Sequence, residues 1–191
     1  MLAGLLDRVG EPDPGRPPTG DHYAALVRAI VGQQLSVRAA QAIHGRLLEQ
    51  FGGAAPTPEQ ILASDPEELR AAAGLSRAKV AFLRSLAEHV VGGSLALDRL
   101  DALPDDEVIA ELVAVKGIGE WSAHMFLIFQ LRRPDVLAVG DLGVRRAVER
   151  AYRLRELPSA AELVALAEPW RPYRTHACLL LWHSLDNVPS G

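Results

Sequence analysis

The chain has 191 residues, 49% of them hydrophobic, and a formal net charge of −4. It is long enough to bury a core, and charged residues interrupt its apolar runs before the roughly 20 residues that a membrane span needs. A single cysteine, Cys178, excludes an internal disulfide, and the scattered histidines do not form a zinc motif. Residues 1–6 lack a basic leader, so we expect a cytoplasmic protein with no membrane partner.

In the early part of the chain, a proline-rich segment is followed by apolar residues at helical spacing. Prolines between Glu11 and Pro18 predict an irregular arm before residue 21. After Ser36, apolar residues recur at intervals of three and four, which indicates one buried helix face. Asp65 and Ser76 are predicted caps of two further helices, the first of which ends at Gly74. β-branched alternation is nearly absent, so the predicted fold class is all-α.

A tight glycine turn separates the next two predicted helices. One begins near Pro104, the chain turns through Gly117-Ile118-Gly119, and the other runs from about Glu120 to Leu131. Two glycines lack a Cβ and let the backbone approach a phosphate, and the N–H groups of the second helix favour an anion. A bare Gly-x-Gly turn is also an ordinary connection between helices, so the neighbouring sequence must decide whether this turn binds phosphate.

The context is a short apolar link, Val136–Val139, followed by an aspartate at a helix start. Asp141 precedes a helix predicted to begin near Gly143, and N-capping is a common role for aspartate. A capping box at Ser159 starts another helix, and close apolar spacing around Trp182 predicts a largely buried last one.

Four ordered motifs carry a family resemblance. The hairpin, residues 112–123, and the segment 137–146 around Asp141 resemble the helix-hairpin-helix, Gly/Pro-rich and Asp pattern of the HhH-GPD DNA glycosylase superfamily. Residues 30–36 (IVGQQLS) and 170–174 (WRPYR), the latter followed by Trp182, resemble its DNA-3-methyladenine glycosylase II branch. The resemblance spans roughly residues 22–183 and implies a two-lobed helical fold with the active site in the cleft between the lobes. One lobe would hold about 1–31 and 132–191, and the other about 32–131, with the hairpin at about 105–131.

The resemblance also implies an activity and the residues that perform it. The chain would be a monofunctional glycosylase that flips an alkylated purine, of the 3-methyladenine or 7-methylguanine type, out of double-stranded DNA and excises it in base excision repair. Asp141 falls on the catalytic aspartate. The other implied roles are a base pocket of Trp121, Met125, Leu142 and Trp182, a DNA wedge of Gln34 and Leu35, and phosphate contacts at Lys116, Gly117, Gly119 and Trp121.

The resemblance implies few components besides the protein chain and DNA. No cofactor is required, although backbone carbonyls near Val113, Val115 and Ile118 could hold a monovalent or divalent cation at the hairpin. We expect a monomer. With a net charge of −4, any DNA-binding surface must be local.

Each assignment has an alternative. Trp121 and Trp182 could be core aromatics, and the Gln33-Gln34 pair could simply end a helix. Met125 and Leu142 stand where some relatives carry aromatic residues, which leaves the substrate range open. The chain could instead excise a deaminated or mismatched base, or could be a non-catalytic DNA-binding module, although a pure binder needs neither Asp141 nor Trp182.

The hairpin further predicts that the chain lacks lyase activity. Relatives that cut the strand carry a nucleophilic lysine on the second hairpin helix, and the matching residue here is Trp121. Only two lysines exist, Lys79 and Lys116, and we expect both to face phosphate.

Overall fold

The computed structural model describes residues 2–11 and 21–186, and in those ranges the chain forms α-helices and no β-strand. The predicted all-α class is confirmed. No helix in these ranges is long and apolar enough to cross a membrane. Helices α1 to α11 are, in chain order, Leu2–Val9, His22–Gly32, Val37–Gln50, Pro58–Ala63, Pro66–Ala73, Arg77–Val91, Asp105–Val113, Glu120–Phe129, Leu142–Tyr152, Ala160–Ala167 and Arg174–Asp186. Two short 3₁₀ helices cover Leu97–Arg99 and Glu168–Trp170.

The helix ends follow the signals in the sequence. The side chains of Ser36, Asp65 and Ser76 each accept the backbone N–H of the residue three positions later, at the starts of α3, α5 and α6. Gly74 ends α5 in the left-handed conformation, with φ 74°, where a side chain would be strained. Ser159 and its partner three residues on form the predicted capping box of α10.

The irregular arm predicted before residue 21 is wrong for residues 2–9, which form helix α1. Leu2, Leu5, Leu6 and Val9 are spaced as one face of a helix, and Leu5 is buried. Helix α1 packs against α11, where His183 Nε2 donates to the Val9 carbonyl at 2.9 Å. The proline-rich part of the predicted arm, residues 12–20, lies outside the described residues.

Two compact units make up the chain, one of residues 1–18 and 127–191, the other of residues 19–126. The sequence placed the lobe boundaries near 31/32 and 131/132, and helix α2 accounts for most of the difference. It buries Tyr23, Leu26, Val27, Ile30 and Val31 and packs against α3 and α6, all in the second unit. The boundary at 126/127 lies within helix α8.

In the first unit, the start of helix α11 holds the apolar link, residues 136–139, that leads to Asp141. Arg174 Nε donates to Asp135 Oδ1 at 2.7 Å, and its Nη2 donates to Asp135 Oδ2 at 2.9 Å and to the Asp135 carbonyl at 2.7 Å. Next to this pair, Thr175 Oγ1 accepts the Val136 N–H at 3.0 Å. These bonds give the WRPYR motif, residues 170–174, a structural purpose, because its last arginine anchors the link.

The Asp135 carboxylate is held in its charged form. Burial alone would raise its pKa, but hydrogen bonds from Arg174 and the charges of Arg174 and Arg171 outweigh burial and hold the pKa below its ordinary value. The Asp135 side chain is 22% exposed and that of Arg174 is 16% exposed, so solvent screens the pair only in part.

We expect Asp135→Asn to lower the free energy of unfolding by roughly 2 to 4 kcal/mol, because Arg174 would lose its charged partner in a largely buried place. Since the folded pKa of Asp135 is depressed, its carboxylate stabilises fully above the unfolded pKa, about 4, and this stabilisation is lost as pH falls through the folded pKa. Below about pH 5, the melting temperature of the parent protein should therefore fall more steeply with decreasing pH than that of the variant. Parallel loss of stability in both would contradict this role.

Candidate functional site

Asp141 caps helix α9, as the sequence predicted. Its backbone is extended, with φ −77° and ψ 120°, and its Oδ1 accepts the Val144 N–H at 2.8 Å. The same oxygen accepts the indole Nε1–H of Trp182 at 2.8 Å. The residue is half-buried and lies at the N-terminus of α9, towards which the free N–H groups of the first turn point. The arrangement presents a negative charge of fixed orientation at the start of a helix.

Trp182 belongs to helix α11 and is itself held in place. Its indole stacks against the Phe129 ring, with centroids 6.0 Å apart and an interplanar angle of 21°. The residue is half-buried, so it is not an enclosed core side chain of the kind that the alternative interpretation requires. A partly exposed aromatic ring beside a carboxylate can offer a face to a cationic group.

Gly143 leaves room for this pair. A Cβ at position 143 would lie 3.0 Å from Asp141 Oδ1, 3.1 Å from Trp182 Cδ1 and 3.2 Å from Trp182 Nε1. These distances are shorter than ordinary van der Waals contacts, so any side chain would push the carboxylate or the indole aside. The sequence contains this glycine within the Gly140–Gly143 segment but gives no sign of its contact with Trp182.

The four residues of the predicted base pocket fall in both units. Leu142 and Trp182 belong to the first unit, where Trp182 bonds to Asp141 and Leu142, the next residue after Asp141, is 47% exposed. Trp121 and Met125 belong to the second unit, where they lie four residues apart on one face of α8. Trp121 is 48% exposed, which does not fit the core-aromatic alternative.

The two glycines of the hairpin turn have different reasons to be glycine. Gly117 has φ 91°, and a Cβ there would overlap the Phe82 ring, so the fold itself requires glycine. At Gly119 a Cβ would meet nothing within 4 Å. Helix α8 starts here, with the Ala123 N–H donating to the Gly119 carbonyl at 3.0 Å. Protein packing does not explain Gly119, whereas close approach by an outside group at a helix start would.

The predicted wedge, Gln34 and Leu35, lies in the turn between α2 and α3. Gln34 adopts the left-handed conformation, with φ 58°, which is uncommon for a residue with a side chain. Both residues are exposed. The preceding Gln33 donates from Nε2 to the Gly117 carbonyl at 2.8 Å, which ties this turn to the hairpin. A polar helix-end pair would not require that contact.

A second tether to the same turn comes from Lys79. Its Nζ donates to the Val31 carbonyl at 2.7 Å, and burial lowers its pKa. The last carbonyls of α2 lack helical N–H partners, and the lysine satisfies one of them. That Lys79 faces phosphate stays a prediction, because its ammonium group has two further N–H donors. Lys116 is exposed, and its backbone N–H donates to Ser85 Oγ at 3.2 Å.

The hairpin carbonyls named for a cation have the right chemistry. Main-chain oxygens are ligands that alkali and alkaline-earth cations prefer. The Val115 carbonyl accepts the Ile118 N–H at 3.1 Å and keeps a second lone pair, whereas the Gly117 carbonyl accepts the Gln33 side chain. Main-chain carbonyls at Val113, Val115 and Ile118 have the chemistry that a cation needs, and cation binding there stays a prediction.

Sequence reasoning did not find several supporting residues. Gln33, Lys79, Phe129 and Gly143 act through contacts distant in sequence, and local periodicity does not report such contacts. One signal was available for Lys79: the chain has only two lysines, so each was a candidate for a specific role.

Comparison with known proteins identifies the family. Residues 27–172 match the model described as HhH-GPD superfamily base excision DNA repair protein. A DNA-3-methyladenine glycosylase 1 of Schizosaccharomyces pombe is 36% identical over 181 residues, which are 93% of this chain and 79% of that protein.

Two solved structures resemble the chain closely. A DNA-3-methyladenine glycosidase of Bacillus halodurans has a TM-score of 0.87 at 39% identity, over 97% of this chain and 84% of that one. A 3-methyladenine DNA glycosylase of S. pombe in complex with abasic DNA has a TM-score of 0.83 at 36% identity, over 94% and 88%. The resemblance found in the sequence is confirmed, and the chain belongs to the HhH-GPD superfamily of base excision DNA repair proteins.

Proposed function

We propose that this chain is a monofunctional DNA glycosylase that flips alkylated purines, of the 3-methyladenine and 7-methylguanine type, out of duplex DNA and excises them. The observation that carries the proposal is the Asp141 carboxylate, fixed by two N–H donors beside a partly exposed tryptophan. The names of the relatives that the chain resembles support the substrate class. We further propose that it acts as a monomer on nucleoid DNA in the cytoplasm.

The chemistry requires little acid catalysis. An N3- or N7-alkylated purine carries a positive charge, so when the glycosidic bond breaks its electron pair neutralises the departing base. Positive charge then develops on the sugar at C1′. Asp141 stabilises this charge electrostatically and orients the water whose oxygen bonds to C1′ while one of its protons passes to the solvent. Trp182, which lies beside Asp141, would offer its face to the cationic base, and tryptophan faces attract cations by roughly 0.5–2 kcal/mol. The base-pocket roles that the family resemblance implies for Trp121, Met125 and Leu142 stay predictions.

The second unit supplies the proposed grip on DNA. A base inside a duplex must be extruded at a cost of a few kcal/mol, and Gln34 and Leu35 would fill the space that it leaves. Lys116 and the open backbone at Gly119 would contact phosphate next to the start of helix α8. Such contacts hold the duplex without reading its sequence.

The first test is Asp141→Asn. Incubation with methylated duplex DNA, followed by chromatography of the released bases, should show excision by the parent protein and a fall of roughly 100-fold or more in the variant, because the stabilising charge is gone. Binding to abasic duplex should change by less than about twofold, since phosphate contacts lie elsewhere. Undiminished excision by the variant would refute the role of Asp141. Release of deaminated or mismatched bases alone would favour the related activity.

The hairpin glycines give a matched pair of variants. Gly119→Ala should leave the melting temperature unchanged but weaken binding to damaged and undamaged duplexes alike by roughly 2- to 10-fold, because a methyl group would hold the phosphate away from the backbone. Gly117→Ala should instead lower stability by roughly 1–3 kcal/mol, through strain at positive φ and overlap with Phe82. Loss of binding confined to damaged DNA in the Gly119 variant would place the hairpin in lesion recognition.

The chain should leave the abasic site intact. Strand cleavage by β-elimination needs an amine that forms a Schiff base with the sugar, and the indole of Trp121 cannot supply one. Incubation with abasic DNA and borohydride should trap no lysine adduct. An adduct that disappears in Lys116→Ala would make that residue a nucleophile, and one that disappears only in Lys79→Met would show that the Val31 contact opens.

A further inference from the structure

We propose that Trp182 is a positioning residue whose indole N–H fixes the orientation of the Asp141 carboxylate, and that this bond contributes more to excision than stacking of the indole on the base. The inference rests on the proposed function, because it concerns how Asp141 acts. It departs from the base-platform role that the sequence resemblance implies for Trp182.

The argument begins with the carboxylate. The outer torsion of an aspartate side chain is broad, so a single hydrogen bond leaves the plane of the carboxylate poorly defined. At Asp141, two N–H donors reach Oδ1 at 2.8 Å, one from the Val144 backbone and one from Trp182. The donors belong to different helices, α9 and α11, so together they restrict the rotation that either alone would permit. A hydrogen bond to a charged acceptor is stronger than a neutral one, which suits this task.

The indole is held independently of the carboxylate. Its ring stacks on Phe129, and helix α11 packs against α9. Arg174 anchors the start of α11 to Asp135, six residues before Asp141. The N–H therefore meets the carboxylate as a preformed donor, and such donors stabilise a developing charge without rearranging.

Gly143 is independent evidence that the approach matters. A Cβ at this position would press on Asp141 Oδ1 and on both Trp182 Cδ1 and Nε1, at 3.0 to 3.2 Å. Its φ does not lie in the left-handed region, so the backbone conformation does not require glycine there. The space that the hydrogen bond between Trp182 and Asp141 needs is what requires glycine at this position.

Trp182→Phe separates positioning from stacking, because phenylalanine keeps an aromatic face but has no N–H donor. Trp170→Phe is the matched control: it removes an indole donor from the same unit, where Trp170 Nε1 donates to Tyr152 Oη at 3.2 Å. With 7-methylguanine duplex, we expect the single-turnover excision rate of Trp182→Phe to fall roughly tenfold or more below that of the control. Affinity for abasic duplex should stay within about twofold, since DNA contacts are unchanged.

Gly143→Ala is the second variant and keeps both functional side chains. We expect its melting temperature to be unchanged or higher, because alanine favours a helix, while its excision rate falls by roughly fivefold or more as the pair is pushed apart. A collapse in stability would be a structural effect of Trp182→Phe, and the glycine variant then decides alone. Normal excision by Gly143→Ala would overturn the inference.

The outcomes separate this inference from the proposed function. Full excision by Asp141→Asn would defeat both. If Asp141→Asn is inactive while Trp182→Phe matches the Trp170→Phe control, the function stands and positioning by Trp182 is wrong. A Trp182→Phe variant that loses affinity in step with its rate would assign the residue to binding instead.

Discussion

The arrangement at Asp141 depends on one carboxylate oxygen that accepts two N–H groups, one from the backbone of its own helix and one from an indole on another helix. A charged group at a helix start is stabilised by the local field, and two donors from separate elements also give it a direction. Much of the first unit serves this geometry. The Asp135–Arg174 pair holds the apolar link, the packing of α11 against α9 brings the indole near, and Gly143 leaves the space in which the bond can form.

In the second unit, the equivalent constraint is on the backbone. The turn after α2 and the hairpin turn are joined by the bond from Gln33 to the Gly117 carbonyl, and Lys79 holds the turn after α2 from the other end. A net charge of −4 is unusual for a protein proposed to hold DNA, and the use of backbone contacts in this unit helps to explain it. One of only two lysines is used to support the fold. A grip made by main-chain N–H groups at a helix start needs few cationic side chains, because the helix supplies the positive potential.

Three glycines show how differently the same residue type can be required. Gly117 is needed because of its positive φ and because a Cβ there would overlap the Phe82 ring, so the fold itself requires glycine. Gly143 is needed to let two functional side chains meet. At Gly119 a Cβ would meet nothing within 4 Å, so packing does not explain the glycine, whereas close approach by an external partner would. Replacing Gly117 should therefore change stability, replacing Gly143 the excision rate, and replacing Gly119 the affinity for DNA.

The sequence by itself determined the all-helical class, most helix starts and the position of Asp141 as an N-cap, because capping and periodicity are local and act within four residues. The ordered motifs also led to the family. The sequence analysis misassigned residues 2–9, since the nearby proline content outweighed a short apolar stripe. It also did not predict the bond from Lys79 to the Val31 carbonyl, because no local pattern reports such a contact. Only the tertiary structure decided that Trp182 donates to Asp141, that Phe129 supports it and that Gln33 reaches the hairpin. These contacts join residues 41, 53 and 84 positions apart, and such pairings are set by how helices pack rather than by any pattern along the chain.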